Sequence, residues 1–271
     1  MTKQGESAIL PSKPREYEMS LSRRQKDILN AVRASGRVAV DDLSNAFEVT
    51  PQTIRRDLNT LCDEGHLTRV HGGAILQSGV ANTAYEARKS LAADEKEAIG
   101  KLCASLIPDD ASLFINIGTT TEAVARALKQ HRDLLVITNN LNVANIMADN
   151  PNCGVMVTGG MLRRSDGGLV GESTLDAVQQ FKVDYAIIGV SAIDEDGSLL
   201  DFDYREVRVS QAIIKNARNV FLVADSSKLS RTAPARIGQM SEIDAYFTDN
   251  PLPDPLAQIC QHQGVEVYTL G

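Results

Sequence analysis

The chain has 271 residues, which is enough for one large domain or two smaller domains with well-filled cores. Its 43% hydrophobic and 23% charged residues are typical of a folded protein, and no apolar run approaches the roughly 20 residues of a membrane span. The N-terminus lacks the apolar core of a signal peptide, so we expect a cytoplasmic protein.

The net charge of −7 is unevenly distributed along the chain. Residues 1–75 carry 11 basic and 10 acidic side chains, whereas residues 76–271 carry 17 basic and 25 acidic side chains. The acidic excess therefore lies in the second part of the chain. A nucleic-acid partner for the first part is not excluded, because the local placement of charge matters more than its total.

The cysteine spacing disfavours metal and disulfide chemistry. The four cysteines lie far apart without a C-x-x-C pair, and the four histidines do not cluster with them; the cysteines are Cys62, Cys103, Cys153 and Cys260. We expect reduced thiols, no metal site and no cofactor.

The first predicted helix follows an N-terminal arm. Residues 1–19 mix Lys, Glu, Ser and Pro without periodicity, which predicts a flexible arm. Ser22 and Gln25 have the spacing of a capping box at a helix start, and Gly36 is suited to the end of that helix. Its inner face is predicted to carry Ile28, Leu29 and Val32.

A short strand and a second helix are predicted next. Val38 and Val40 indicate the strand. Asp41 or Asp42 is then expected to act as the N-cap of the second helix.

Residues 50–61 predict a helix with two different faces. Thr50 is suited to the N-cap and Pro51 to the first helical position, where its missing N–H has no cost. Helical spacing gives a buried stripe of Ile54, Leu58 and Leu61. A second stripe of amide and guanidinium groups, which contact base edges and phosphates, consists of Gln52, Arg55, Arg56 and Asn59. We expect this helix to enter the major groove of DNA, with Thr50 and Thr53 near its N-terminal end.

A predicted hairpin completes the first domain. The segments 67–70 and 74–76 flank His71-Gly72-Gly73, and this pattern favours two strands joined by a turn. The hairpin would be a wing that places Arg69 and His71 against the DNA backbone or minor groove. Residues 20–76 therefore predict a winged helix-turn-helix DNA-binding domain.

The pattern changes after residues 77–91, which we interpret as a linker. Residues 92–271 alternate between helical patterns and seven candidate strands, at 112–116, 134–138, 155–158, 185–190, 220–224, 245–248 and 265–270. Such alternation predicts an α/β domain with a parallel sheet and helices on its faces.

The loops that follow the candidate strands carry groups that suit a phosphate. A Gly-Thr-Thr-Thr run at 118–121 precedes a helix, whose N–H groups favour an anion, although an ordinary Thr N-cap would give the same pattern. Five glycines and two arginines fall within residues 159–171, which favours a flexible phosphate-facing loop. Walker A and Rossmann spacings are absent from the sequence, so nucleotide binding is disfavoured.

Three further side chains complete the candidate ligand set. Asp203 and Glu206 lie three residues apart at a predicted helix start and could bind hydroxyl groups, although acidic residues also suit a helix N-terminus for electrostatic reasons. Lys228 supplies a compact cation. The candidate ligand-binding residues are Gly118, Thr119, Thr120, Thr121, Asn139, Asn140, Gly160, Arg163, Arg164, Asp166, Gly167, Gly168, Asp203, Glu206 and Lys228.

The run Thr50–Leu58, followed by Arg69-Val70-His71-Gly72-Gly73-Ala74, resembles the DeoR family of bacterial transcription regulators. The resemblance extends from about Ser20 to the C-terminus. It implies a winged helix-turn-helix domain followed by an α/β sugar-phosphate sensor domain that is similar in fold to ribose-5-phosphate isomerase. It also implies a repressor of carbon-metabolism genes that binds double-stranded operator DNA and is released by a phosphorylated metabolite.

The loops also indicate a group within this family. The segments 117–120, 138–145, 166–168 and 202–208 are most similar to members that regulate glycerol-3-phosphate use, which implies glycerol-3-phosphate as the effector. One recognition helix makes few contacts, so a homodimer or homotetramer on a repeated or palindromic site is expected.

A sugar-phosphate isomerase, or a bifunctional enzyme and regulator, is the alternative. Asp203, Glu206 and Lys228 could supply the base and acid that such a reaction needs. The fusion to a winged helix favours a sensor without catalytic residues over an enzyme.

Overall fold

The computed structural model describes residues 21–35, 37–63, 66–70, 72–76 and 85–270. The predicted arm 1–19, Gly36 and His71 lie outside the described residues. None of the helices in the described ranges has the length and apolar content to cross a membrane.

The N-terminal unit contains three helices and a three-stranded sheet. Its elements are α1 (Arg23–Ser35), β1 (Arg37–Ala39), α2 (Val40–Ala46), α3 (Pro51–Asp63), β2 (Leu67–Val70) and β3 (Gly73–Leu76). Strand β3 lies between β1 and β2 and is antiparallel to both. This arrangement is a winged helix-turn-helix domain, and it confirms the predicted fold.

The local signals at the helix starts are largely confirmed. Ser22 and Gln25 form both bonds of the capping box, since Gln25 N donates to Ser22 Oγ (3.2 Å) and Ser22 N donates to Gln25 Oε1 (2.9 Å). The prediction for α2 is wrong. This helix begins at Val40 after Ala39, so Val40 is not a strand residue, and Asp41 lies in the first turn rather than at the N-cap.

The core of the winged helix is built from the predicted apolar stripes. Side chains of α1 and α3 form one buried cluster with the inner residues of α2 and the sheet. Its fully buried members include Ile28, Val32, Ile54, Leu58 and Leu61. Burial of each such side chain stabilises the domain by about 1.5–3 kcal/mol, and it fixes which face of α3 remains outside.

A short helix, α4 (Tyr85–Ser90), lies within the segment that we interpreted as a linker. Helices then alternate with strands. The helices are α5 (Ala93–Ala104), α6 (Thr119–Ala127), α7 (Leu141–Met147), α8 (Glu172–Gln179), α9 (Tyr204–Lys215) and α10 (Asp254–Gln263).

The seven predicted strands form one parallel sheet. They are β4 (Ser112–Ile115), β5 (Leu134–Thr138), β6 (Cys153–Val157), β9 (Val183–Ile188), β12 (Ala217–Val223), β14 (Ala245–Thr248) and β15 (Glu266–Thr269). Their order is β15-β14-β12-β9-β4-β5-β6. The chain proceeds outward from β4 in one direction and then returns to β9 on its other side. Strands β4 and β9 therefore flank a topological switch point, where α/β sheets bind ligands.

Two smaller sheets were not predicted. Strands β7 (Met161–Arg163) and β8 (Gly168–Val170) form an antiparallel hairpin. The other small sheet contains β10 (Ala192–Ile193), β11 (Ser198–Asp201) and β13 (Ala235–Gln239). The glycine-rich segment 159–171 is therefore largely ordered as a hairpin, which corrects the expectation of a flexible loop.

Helices α5 and α6 are in close contact at Gly100. A Cβ atom added to Gly100 would lie 2.6 Å from the carbonyl carbon of Ala123, so only glycine allows the two backbones to approach this closely. Both helices cover the face of the sheet on which β4 and β5 carry Leu113, Ile115 and Val136.

Candidate DNA-binding surface and effector cleft

The polar face of α3 is exposed, as the helical spacing predicts. Thr50 Oγ1 accepts a hydrogen bond from Thr53 N at 3.3 Å, so Thr50 is the N-cap, and Thr53 is half-buried. The exposed candidate DNA contacts are Thr50, Gln52, Arg55, Arg56, Asn59 and Arg69. This surface combines guanidinium and amide donors on one side of a helix whose other side is buried.

A charged contact missed by sequence reasoning fixes α3 against α1. Arg24 Nε donates to Asp57 Oδ2 at 2.6 Å, and this hydrogen bond raises the pKa of Arg24. Asp57 is buried although it follows the exposed Arg56. The pair therefore links α1 to α3.

A cleft that is open to solvent lies at the carboxyl ends of β4, β9 and β12. This is the switch point between β4 and β9. The lining residues are Arg88, Ile117, Gly118, Thr119, Thr120, Gly189, Val190, Ser191, Asp201, Glu206, Val223 and Lys228.

One wall of the cleft is the start of α6. Gly118 is the N-cap residue of this nine-residue helix, and Thr119 and Thr120 form its first turn. Backbone N–H groups at a helix start attract anions, and the hydroxyl of Thr120 adds a donor beside them. The hydroxyl of Thr119 donates to the carbonyl oxygen of Arg88 at 3.5 Å. This wall has the chemistry of a phosphate cradle.

Lys228 lies in the short 3₁₀ turn that follows β12, and only 6% of its surface is exposed. Within the described ranges, its Nζ atom has no hydrogen-bond partner and no ion-pair partner within 4.0 Å. Burial lowers the pKa of Lys228 and Asp225 opposes the change; together with the positive charges of Arg231, Lys96 and Arg88, the net result is a pKa of about 7. An anion bound in the cleft would restore the charged form of this amine.

Three more cations that sequence reasoning missed lie near Lys228: Arg88, Lys96 and Arg231. Burial and the charge of Arg88 lower the pKa of Arg231, and burial lowers the pKa of Lys96, which is 2% exposed. The four cations Arg88, Lys96, Lys228 and Arg231 repel one another. Asp225 offsets part of this repulsion, and a bound phosphate would relieve more of it. The sequence does not predict that these cations lie close together, because two of them are far in the chain from the other two and each has polar neighbours.

The opposite wall carries carboxyl groups. Burial, followed by the charge of Asp201, raises the pKa of Glu206 to about 8, against the lowering effect of Arg163. Asp201 accepts a hydrogen bond from Ser191 Oγ at 2.9 Å. Carboxyl and hydroxyl groups on this wall are suited to hydrogen bonds with the hydroxyls of a small ligand.

Two family models match the chain. The model of the DeoR C-terminal sensor domain matches residues 91–250, and the model of the DeoR-like helix-turn-helix domain matches residues 24–80. The chain belongs to the DeoR family.

Several DeoR relatives are similar along nearly their whole length. The glycerol-3-phosphate regulon repressor of Escherichia coli (strain K12) is 45% identical over 92% of this chain and 99% of that protein. The protein of the same name from Haemophilus influenzae is 44% identical over 90% of this chain and 95% of that protein. The transcriptional repressor CsqR of Escherichia coli (strain K12) is 41% identical over 92% and 96%, respectively.

The DeoR sensor domain also has neighbours among solved structures. A D-ribose-5-phosphate isomerase in complex with phospho-erythronic acid has a TM-score of 0.38 and 16% identity, over 51% of this chain and 54% of that chain. The eIF2B beta protein from Chaetomium thermophilum has a TM-score of 0.43 and 15% identity, over 57% and 48%, respectively.

The structure places five of the predicted ligand residues on the cleft of this DeoR protein: Gly118, Thr119, Thr120, Glu206 and Lys228. Thr121 follows directly, but its hydroxyl donates to the carbonyl oxygens of Asn116 and Gly118 (2.8 Å each). The remaining candidates are not among the residues that line this cleft.

Several of these remaining candidates have structural partners. Asn139 Nδ2 donates to Leu169 O at 3.1 Å. The Asn140 side chain accepts from Asn142 N at 2.9 Å as the N-cap of α7, and its Nδ2 donates to Glu122. Gly168 N donates to Asp166 at 3.3 Å, and a Cβ added to Gly168 would lie 2.5 Å from Ile117 Cδ1.

The other glycines and Arg164 are placed away from the cleft wall. Gly167 has a φ of +75° within the β7–β8 turn, and Gly160 has a φ of +131° beside Thr174. Arg164 is exposed in the same turn.

Arg163 is surrounded by carboxylates, which corrects the expectation that it is available to a phosphate. It donates to Asp166 (2.8 and 2.7 Å), to Asp203 (3.0 Å) and to Glu206 (2.5 Å). Although burial opposes the change, the bonds to Asp166 and Glu206 raise the pKa of Arg163. Hydrogen bonds from Arg205 and Arg163 outweigh burial and lower the pKa of Asp203 to about 2. Arg163 therefore holds the acidic wall together.

Proposed function

We propose that this protein is a cytoplasmic transcriptional repressor that binds operator DNA and whose cleft binds a phosphorylated effector. The effector that we propose is glycerol-3-phosphate. The observation that carries the proposal is the buried Lys228 amine beside the start of α6. The relatives named as glycerol-3-phosphate regulon repressors support the choice of effector.

The two walls suit the two ends of glycerol-3-phosphate. The phosphate would accept hydrogen bonds from the N–H groups of Thr119 and Thr120, from the Thr120 hydroxyl and from Lys228. The hydroxyls would donate to Asp201 and to Glu206, which lie on the opposite wall. A neutral Glu206, favoured by a pKa of about 8, would also repel the anion less.

The DNA-binding part of the proposal rests on α3. Gln52, Thr53, Arg55 and Arg56 would contact base edges and phosphates of the major groove, with Asn59 at its margin. Arg69, together with His71, would contact the backbone from the wing. For the effector to release the operator, it must bind the DNA-incompetent state more tightly than the competent state.

Calorimetric titration tests the effector. We expect glycerol-3-phosphate to bind, and glycerol, ribose-5-phosphate and fructose-6-phosphate to bind at least tenfold more weakly. Lys228→Gln should abolish binding, whereas Lys215→Gln, an exposed lysine on α9, should not change it. Tight binding of a pentose or hexose phosphate instead would retain the sensor and refute the choice of ligand.

A gel-shift assay with an operator selected from random duplexes tests repression. Glycerol-3-phosphate at saturation should lower operator affinity at least tenfold. Higher affinity in its presence would mean that the ligand enhances DNA binding, and it would refute the sign of the proposal.

We further propose that the protein binds its operator as a homodimer or homotetramer, because a single recognition helix makes too few contacts for operator affinity. Sedimentation equilibrium at micromolar concentration measures the mass directly. A monomer both alone and on operator DNA would refute this part of the proposal.

An isomerase activity is the second candidate. Glu206 and Lys228 line the same cleft and have pKa values of about 8 and about 7, which suit proton transfer near neutral pH. A coupled assay with ribose-5-phosphate and hexose phosphates measures this activity. Turnover that disappears in Lys228→Gln would establish the enzyme, and no turnover by wild-type protein would leave the repressor alone.

A further inference from the structure

The short helix α4 contributes a side chain to the effector cleft. Arg88 lines the cleft, and its side chain is 14% exposed. This residue lies between the winged helix and the sensor domain in the sequence, within the segment that composition indicates as a linker. Helix α4 also contacts α1 of the winged helix and α6 of the sensor domain.

Hydrogen bonds attach α4 to the sensor domain. Tyr85 Oη donates to Glu122 Oε2 at 2.8 Å and accepts from Asn142 Nδ2 at 3.1 Å. Lys96 Nζ donates to the carbonyl oxygen of Arg88 at 2.5 Å. Glu122 belongs to α6, the helix whose first turn forms the phosphate cradle, so α4 and the cradle share a bonded framework.

An anion could replace the ion pair between Arg88 and Asp166 without leaving Asp166 unpaired. The Arg88 guanidinium also lies over the ring of Tyr85, 5.9 Å from its centroid. Arg88 Nη2 donates to Asp166 Oδ2 at 3.2 Å. Asp166 is also held by Arg163 through two shorter bonds, from Nε to Oδ1 (2.8 Å) and from Nη2 to Oδ2 (2.7 Å). Loss of Arg88 would therefore leave Asp166 paired, and a buried carboxylate without a partner would not result.

The cleft also favours the movement of Arg88 toward a ligand. Its guanidinium group is one of four mutually repelling cations, together with Lys96, Lys228 and Arg231, whose repulsion Asp225 offsets in part. A phosphate on the α6 wall would attract all of them, and guanidinium groups bind phosphate through paired hydrogen bonds. The guanidinium group of Arg88 would then donate hydrogen bonds to the phosphate, and this contact would displace α4 toward the cleft.

We propose that Arg88 binds the phosphate of the effector in exchange for its bond to Asp166, and that the resulting displacement of α4 carries effector occupancy to the winged helix. This inference rests on the effector cleft proposed above and adds the residue and the helix that connect it to DNA binding. Occupancy shifts the repressor toward the DNA-incompetent state to the extent that α4 takes a different position in the two states.

Substitution of Arg88 in the full-length chain tests this inference. Arg88→Gln should weaken glycerol-3-phosphate binding at least tenfold, and saturating glycerol-3-phosphate should then lower operator affinity by less than threefold. Arg88→Lys keeps the charge without the planar donor pair, so its effector affinity and operator release should lie between those of Arg88→Gln and wild type. Lys89→Gln removes the same charge from an exposed position of the same helix and should match wild type within twofold.

Hydrogen exchange supplies a second measurement that does not depend on a variant. In wild-type protein, glycerol-3-phosphate should change the exchange of the α4 amides, and the change should be absent in Arg88→Gln. Unchanged exchange in wild-type α4 on saturation would overturn the proposal even if Arg88→Gln fails to fold. Wild-type release of operator by effector-saturated Arg88→Gln would overturn it as well.

The same experiments separate this inference from the proposed function. If wild-type protein binds glycerol-3-phosphate and releases operator while Arg88→Gln does both equally well, only the role of Arg88 and α4 is refuted. If wild-type protein binds none of the phosphorylated compounds, the effector cleft is refuted, and the role of Arg88 with it.

Discussion

Replacement of Lys228 by methionine should stabilise the protein while it abolishes effector binding. Burial lowers the pKa of this amine from 10.5 to about 7. At 1.36 kcal/mol for each tenfold change in proton affinity, the cost to the folded state at pH 7 is about 4 kcal/mol. Methionine has a similar length and carries no charge, so the Lys228→Met protein should recover up to this amount.

The pH dependence gives this prediction its sign. Between pH 7 and pH 10.5 the unfolded chain holds the proton on Lys228 more tightly than the folded chain does, so the stability of wild-type protein rises with pH over this window. The advantage of Lys228→Met should therefore be largest at pH 7 and fall to about 1 kcal/mol by pH 10.

Urea unfolding of both proteins at a series of pH values measures this difference. Tyrosine fluorescence is a suitable signal because the chain has no tryptophan and five of its six tyrosines follow residue 84. Glycerol-3-phosphate should raise the midpoint of wild-type protein and leave that of Lys228→Met unchanged. A less stable variant at pH 7, or a stability difference that does not change with pH, would refute the reasoning.

Two further predictions concern the DNA-binding face and the contact between α5 and α6. Arg55→Ala and Arg56→Ala should each weaken operator binding at least tenfold in a gel-shift assay and leave calorimetric effector binding unchanged. Arg132→Ala, which removes an exposed arginine of the sensor domain, is the control. Unchanged operator affinity in both the Arg55 and the Arg56 variants would exclude this face of α3 as the DNA-binding surface. Gly100→Ala should destabilise the protein by about 1–3 kcal/mol in urea, because its Cβ would overlap the facing backbone. Gly154→Ala, whose Cβ has an ordinary 3.4 Å contact, should cost less than about 0.5 kcal/mol, and equal losses in the two variants would argue against the close approach.

Strong periodic signals made most of the fold predictable from the sequence. All seven strands of the parallel sheet were located because each is a short apolar run between polar segments, and the winged helix followed from its helix caps and apolar stripes. The strands β7, β8, β10, β11 and β13 were missed. They are short or lie in glycine-rich and polar segments, where pairing with a neighbour determines the strand and no local pattern reports it.

The candidate site was predictable only where one local segment carries the chemistry. The Gly118–Thr120 turn was recognised because glycine, hydroxyls and a helix start are adjacent in sequence. The sequence suggests that Arg163 is available to a phosphate, because two of its three carboxylate partners are not its neighbours in the sequence. Asp203 and Glu206 are 40 and 43 residues away. Arg88 was not predicted because distant contacts also determine its position. The composition of its segment indicates a linker, whereas contacts with the sensor domain place it at the cleft.

The close contact between α5 and α6 at Gly100 affects how selectively the cleft can bind a ligand. Backbones that touch directly leave α6 little freedom to shift, so the donors at its start are already oriented before a ligand arrives. Preorganised donors lose little entropy on binding, and they reject molecules whose oxygens do not match their fixed spacing. The start of α6 would then act as a rigid binding surface for the ligand. The movement that accompanies ligand binding would be confined to α4, the short segment that joins the two domains.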